Sequence, residues 1–138
     1  MPVLVAINGS SYTDAPLHLG LQIAQRLGQP LTVLTVTRPR SAPNGVSSGR
    51  LPALPPESQP PAAVEIRMRV RVGDPAAEIV CETDQGGYDL VIVGEPQHRN
   101  LLARFLQGST AIRVVEHAPC PVVVAKGQIR PIQRILIC

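Results

Sequence analysis

Val3–Ile7 is an unbroken apolar run that closes on Asn8-Gly9-Ser10, the pattern of a strand buried on both faces and ended by a turn. Beyond it, Leu17, Leu21, Ala24 and Leu27 recur at steps of four, three and three. That spacing lines one face of a helix, with Thr13 or Asp14 as N-cap, Pro16 in the first turn and Gly28 at the stop. Leu31–Thr37 is rich in Val and Thr and predicts a second strand, so the chain opens with a strand, helix, strand unit of the kind that builds parallel sheets.

The pattern then breaks. Seven of the fifteen prolines fall between Pro39 and Pro61, together with Ser41, Gly45, Ser47, Ser48 and Gly49. Each interior proline removes a donor and clashes with the preceding turn, so residues 39–63 predict a loop in place of a helix. A loop of that length inside a compact domain is either functional or a linker. Val64, Ile66, Met68, Val70 and Val72 next alternate with Glu65, Arg67, Arg69 and Arg71. Strict period two predicts an edge strand with one buried face and one wet face, the arginines forming either a solvated row or a reader of anions.

Asp74 and Pro75 then predict the N-cap and first position of a short helix running to about Asp84, stopped by Gln85-Gly86-Gly87. Asp89–Val93 predicts a buried strand ending at Gly94. After a polar stretch and an apolar turn around Leu101–Leu106, Gly108-Ser109-Thr110 opens a helix to about His117, and Val122–Ala125 predicts a fifth strand. Alternating strands and helices define an α/β protein with a parallel sheet and right-handed crossovers. In such open sheets ligands bind at the carboxyl ends of the strands, which here carry Asn8-Gly9-Ser10, Val36-Thr37 and Gly94.

At 138 residues the chain has one domain's worth of core. Apolar residues at 44% and charged residues at 17% argue for a folded chain. No run approaches the roughly 18 apolar residues that span a bilayer, and the first ten residues lack the basic start and apolar core of a secretory signal, so the expectation is a cytoplasmic protein without a membrane partner. The net charge of +3 raises the question of nucleic acid. Twelve of the thirteen basic residues are scattered arginines, and Tyr12, Tyr88 and Phe105 are the only aromatics, too few for stacking platforms, so nucleic acid is not the expected partner. Cys81, Cys120 and Cys138 show no paired spacing and no histidine partner, and are expected to be reduced structural thiols rather than metal ligands.

Neither a G-x-x-x-x-G-K-[ST] phosphate loop nor a G-x-G-x-x-G fingerprint is present. What remains is Gly94 after a strand and Gly108-Ser109-Thr110 at a helix start, where free N–H groups and hydroxyls suit phosphate, although Ser109 serves equally as a plain N-cap. His18, His98 and His117 lie at no recognisable spacing from a nucleophile, and Asp74 and Glu78 are explained by capping, so no catalytic residue is assigned.

Taken in order, Val-Ala-Ile-Asn-Gly-Ser at 5–10, Leu-Thr-Val-Leu-Thr-Val at 31–36, Gly-Asp-Pro-Ala at 73–76, Asp-Leu-Val-Ile-Val-Gly at 89–94 and Gly-Ser through His-Ala-Pro-Cys-Pro-Val-Val-Val at 108–124 resemble the universal stress protein family over residues 1–126. The resemblance implies a five-stranded parallel sheet of order 3-2-1-4-5. It also implies a homodimer or tandem-domain pairing through the last strand, with Val122, Val123 and Val124 at the interface. In one branch of the family a G-x2-G-x9-G-[ST] loop holds ATP or AMP, with Mg²⁺ accompanying the nucleotide; another branch binds none. Carried onto this chain, the nucleotide residues are Asn8, Gly9, Ser10, Val36 through its backbone at the adenine, Gly94, His98, Arg99, Gly108, and Ser109 with Thr110 at the phosphates.

Three departures separate the chain from the nucleotide-binding pattern. The stretch from Gly94 through Glu95, Pro96, Gln97 and His98 to Gly108 is one residue longer and lacks the middle glycine; Pro96 brings no N–H, and Glu95 repels phosphate unless Arg99 or Arg104 offsets it. Asn8 stands where an aspartate would help hold a metal. The proline-rich loop replaces the family's second helix, leaving one face of the sheet edge bare, a fit with the arginine row. Two readings stand: a regulatory nucleotide-binding module, or a nucleotide-independent interaction module with a vestigial cleft. Slow ATP hydrolysis is a weaker third, because no general base is visible at the cleft. Residues 127–138 read as a linker, in which Arg134–Cys138 matches the character of Val3–Ile7 and suggests the first strand of a second, tandem domain.

Overall fold

The computed structural model describes residues 2–7, 14–38, 64–94 and 110–125. They form strand β1 (Val3–Ile7), helix α1 (Asp14–Leu27), β2 (Leu31–Thr37), β3 (Ile66–Val72), α2 (Pro75–Gly86), β4 (Leu90–Gly94), α3 (Thr110–His117) and β5 (Val122–Ala125). All pairings are parallel and the sheet order is β3-β2-β1-β4-β5, as the α/β reading and the family resemblance expected. The proline-rich stretch 39–63, the turn at Leu101–Leu106 and residues 127–138 lie outside the described residues.

The continuous apolar runs occupy the middle of the sheet for a physical reason: β1, flanked by β2 and β4, has both faces covered. On one face Val3, Val5, Leu31, Val33 and Ile92 pack against Leu17, Leu21 and Ala24 of α1. On the other, Leu4, Ala6, Leu34, Val91 and Val93 pack against Ala76 and Ile79 of α2 and Ala111 and Val114 of α3. Gly20 marks how closely α1 lies on the sheet, because a Cβ there would collide with the Val5 side chain. The caps predicted for α2 are in place: the Asp74 carboxylate accepts from the Ala77 N–H at 3.2 Å, and Gly87 closes α2 in the left-handed conformation.

At β3 the structure departs from the expectation of one buried and one wet face. The arginines of the alternating run do not lie on the bare side of the sheet; they face α2. Arg69 Nη1 and Arg71 Nε donate to the two carboxylate oxygens of Glu82 at 2.8 and 2.7 Å, and Arg71 also reaches Gln85 at 2.7 Å and Glu78 at 3.4 Å. Glu82 is 1% exposed, and the Tyr88 hydroxyl donates to its Oε1 at 3.0 Å. Burial, foremost, pushes the Tyr88 phenol up. The apolar residues of β3 are the ones left open: Met68, Val70 and Val72 are 42%, 57% and 64% exposed. α1 reaches only the beginning of this strand, where Val64 and Ile66 join its cluster. The alternation is present, but neither row is buried: Arg67 and Arg69 stay exposed on one side, Met68, Val70 and Val72 on the other, and of the arginines only Arg71 is drawn in, by the buried Glu82 of α2.

Candidate functional site

The connection leaving β1 runs by α1 to β2 on one side, and the connection leaving β4 runs by α3 to β5 on the other. Strand order therefore reverses between β1 and β4, and the crevice at their carboxyl ends, beside Ile7 and Gly94, is the ligand position for this architecture. Of the residues assigned from sequence, Val36, Gly94 and Thr110 are described; Asn8, Gly9, Ser10, His98, Arg99, Gly108 and Ser109 lie outside the described residues.

Val36 has its side chain buried in the layer shared with α2 and α3, so only its backbone is available for recognition. The direction of that backbone follows from the ladder. The Leu31 N–H donates to the Glu65 carbonyl and the Thr37 carbonyl accepts from the Gly73 N–H, so the odd-numbered residues of β2 turn their backbone polar groups toward β3. Even-numbered residues, Val36 among them, turn theirs toward β1. The register with β1 ends at Ile7↔Thr35, one residue short of Val36. The Val36 carbonyl thus faces the crevice where the β1 ladder stops.

Gly94 ends β4 against the first turn of α1: a Cβ would sit 3.0 Å from Pro16 Cγ. The glycine allows the helix start to close on the strand end, a packing role that its place in the motif does not reveal. Thr110, half-buried, begins α3, and the first turn of α3 lies beside the first turn of α2. Arg113 Nη1 of α3 bridges to Asp74 Oδ2, the α2 cap, at 2.8 Å. The Ala77 N–H, foremost, and then Arg113 and Arg38 hold the Asp74 carboxyl below the ordinary carboxylate range. The α2 N-terminus and the cations Arg38 and Arg113 thus act on one anion, the Asp74 carboxylate itself. Sequence reasoning passed over Arg113. Its signal was a cation in the first turn of a helix, unfavourable to the dipole and so in need of a partner such as Asp74.

The fifth-strand residues divide. Val122 turns to the α2–α3 layer, Val123 packs against the α1 layer, and Val124 is open to solvent. Among the described residues, no group of three or more His, Cys, Asp or Glu side chains is placed to hold a metal, and no helix is long and apolar enough to cross a membrane. Cys81 and Cys120 are free thiols, and burial beside Asp89 pushes Cys120 up.

An open parallel sheet of order 3-2-1-4-5 with helices on both faces defines a doubly wound α/β protein. The family model of the universal stress proteins matches residues 1–126, and the chain belongs to that family. Among solved structures, universal stress protein UspA from Lactobacillus plantarum is 26% identical with a TM-score of 0.67, over 91% of this chain and 97% of that one. A universal stress protein from Archaeoglobus fulgidus in complex with dAMP is 24% identical with a TM-score of 0.57, over 91% and 98%. A family protein from Arabidopsis thaliana with AMP bound is 20% identical with a TM-score of 0.60, over 93% and 92%. No curated protein matches in sequence.

Proposed function

We propose that this chain is a stress-response module that binds an adenine nucleotide, ATP or AMP, in the crevice between β1 and β4 and acts as a regulatory domain rather than a catalyst. The observation that carries this reading is the Val36 backbone, turned toward β1 where the β1 ladder ends, a position from which a carbonyl can accept a hydrogen bond from an exocyclic amine. The start of α3 at Thr110 supports it, because a helix N-terminus turns free N–H groups and the positive end of its dipole toward an anion. The relatives crystallised with dAMP and with AMP share the fold, which makes the same crevice the natural place to look. In this reading Asn8, Gly9, Ser10, His98, Arg99, Gly108, Ser109 and Thr110 surround the nucleotide, and Mg²⁺ enters only with a polyphosphate.

The test is calorimetric titration of ATP with Mg²⁺, and of AMP, into the full chain at moderate salt, with Gly108→Val as the control. Micromolar binding lost in Gly108→Val is the expected result. Absence of heat and of thermal stabilisation at millimolar nucleotide overturns it.

One observation favours a second reading, an interaction module that works through the β5 edge. On α3 Ala111 and Val114 face the core and Arg113 reaches toward α2, which leaves Ile112 and Val115 on the opposite flank, away from α2 and on the β5 side. They are 58% and 53% exposed, and Val124 is 44% exposed on the same face of β5. In this reading a second copy or a tandem partner pairs along Val122, Val123 and Val124 and covers those side chains. Charged substitution of Ile112 and Val115 that leaves the sedimentation coefficient unchanged would remove this reading.

A further inference from the structure

The outer edge of β3 joins an open backbone ladder to two exposed rows of opposite character. We infer that it is a docking edge for an extended segment of another protein, one that alternates apolar and acidic residues and adds to the sheet as a further strand. Nucleotide binding plays no part in it.

β3 ends the sheet, and among the described residues β2 is its single strand neighbour. The Glu65 carbonyl accepts from the Leu31 N–H and the Gly73 N–H donates to the Thr37 carbonyl, so the odd-numbered residues of β3 commit their backbone groups to β2. The backbone alternates, and Ile66, Met68, Val70 and Val72 turn theirs outward. No backbone group among the described residues bonds to them there. A strand of seven residues thus offers roughly 23 Å of open ladder at about 3.3 Å per residue. Such an edge takes up an added strand through main-chain hydrogen bonds, and its alternate side chains choose which strand.

Those side chains ask for two chemistries. On the α1 side Met68, Val70 and Val72 are open to solvent. On the α2 side Arg67 and Arg69 keep 61% and 56% of their side chains exposed, whereas Arg71 is drawn under α2. Arg69 gives Nη1 to the buried Glu82, which leaves the other donors of its fork for a second carboxylate. Arg67 is held by Glu65 in an exposed pair of small energy and can turn to a new acid.

The same rows decide against a second copy of this chain. Two β3 edges related by a two-fold axis run antiparallel, with even residues opposite even and odd opposite odd. Three registers set Met68, Val70 and Val72 all against apolar residues between Val64 and Val72 of the other strand, and each sets arginine against arginine. Arg67 meets Arg69 when Met68 lies on the axis, Arg67 meets Arg71 when Arg69 does, and Arg69 meets Arg71 when Val70 does. Like charges directly opposite destabilise a strand pair, and a charged edge of this kind keeps copies apart. A strand with acids facing Arg67 and Arg69 and apolar residues between and beyond them escapes the repulsion and covers the row.

Fluorescence anisotropy with the full chain and a labelled peptide, Val-Glu-Val-Glu-Val between Gly-Ser flanks, tests this. Saturable binding that weakens with salt is expected, with the peptide carrying Lys in place of Glu about tenfold weaker. Val70→Pro removes one outward N–H and leaves the β2 ladder intact, a change that edge strands tolerate. It is expected to abolish binding with the far-ultraviolet circular dichroism retained. Arg67→Glu is expected to weaken binding of the Glu peptide several-fold and to strengthen that of the Lys peptide. Binding that survives Val70→Pro in full puts the peptide elsewhere and overturns the inference. So does a Glu peptide that never saturates, or a Lys peptide that binds as well. Self-association of the chain that Val70→Pro removes assigns the edge to a second copy and overturns it equally. Should Val70→Pro fail to fold, the charge exchange between Arg67→Glu and the two peptides decides alone.

Discussion

The two faces of β3 solve the same edge-strand problem by different means. Toward α2, three arginines stand on the sheet and two of them close on Glu82, a carboxylate with almost no exposure. Toward α1, the strand offers Met68, Val70 and Val72 to whatever lies above. The first face is specified by charge and hydrogen-bond geometry, the second by area alone. A strand with alternating arginine and valine therefore does not announce which row is wet. The decision rests with the neighbouring elements: α2 brings a buried acid, and α1 stops short of the strand's far end.

The largest test of this contrast removes the arginines of the network. In Arg69→Leu/Arg71→Leu the Glu82 carboxylate keeps the Tyr88 hydroxyl but loses both counter-charges. Leaving a buried charge uncompensated costs about 3–5 kcal/mol. The double variant is expected to lose stability on that scale in urea unfolding, against a much smaller loss for Val70→Ala, which trims a half-open side chain. A double variant within about 1 kcal/mol of the parent would show that the ion pairs merely decorate an edge held by apolar contact.

The second test addresses how α2 is anchored at its other end. Asp74 caps the helix through the Ala77 N–H and bridges to Arg113 of α3. Asp74→Ala is expected to cost about 1 kcal/mol, the ordinary value of a lost cap. Because the folded carboxyl lies below its ordinary value of 3.8, the contribution is fully present above that pH and is lost as pH falls through the folded value. The stability gap between parent and variant should accordingly hold at neutral pH and close in acid. A gap that stays constant down to pH 2 would assign the effect to helix propensity instead of the charge.

The central sheet was legible from sequence because β1, β2 and β4 are buried on both faces, and a buried strand writes an unbroken apolar run. Helix ends were legible where Asp74 and Gly87 act through their own backbone neighbourhood. The faces of β3 were not, since the partner of Arg69 and Arg71 lies on α2, ten or more residues along the chain, and a lone glutamate among polar helix residues carries no mark of burial. At the candidate site, Val36 was placed by family resemblance, and its orientation became visible only when the β2–β3 hydrogen bonds fixed the alternation of the backbone. Gly94 was read as a phosphate-loop glycine, and the structure shows a second reason for it in Pro16. Local signals survive translation into sequence; contacts made across the sheet do not.

The smallest effect sharpens the contrast within the arginine row itself. Arg67 belongs to the same alternation as Arg69 and Arg71 and bonds to a carboxylate at a comparable 2.8 Å, yet its partner is Glu65, two residues away, and both side chains are more than 60% exposed. The guanidinium, through its hydrogen bond foremost, holds the Glu65 carboxyl below its ordinary range, but water competes for both groups and salt screens them. Equal distance does not mean equal energy, because Glu82 has no water to return to and Glu65 does. Arg67→Ala is expected to leave the urea unfolding midpoint nearly unchanged. The difference from the parent should vanish in 0.5 M salt, where the loss in Arg69→Leu/Arg71→Leu persists because its carboxylate is shielded from ions. If Arg67→Ala matched the double variant, burial would not be what separates the arginines of this strand.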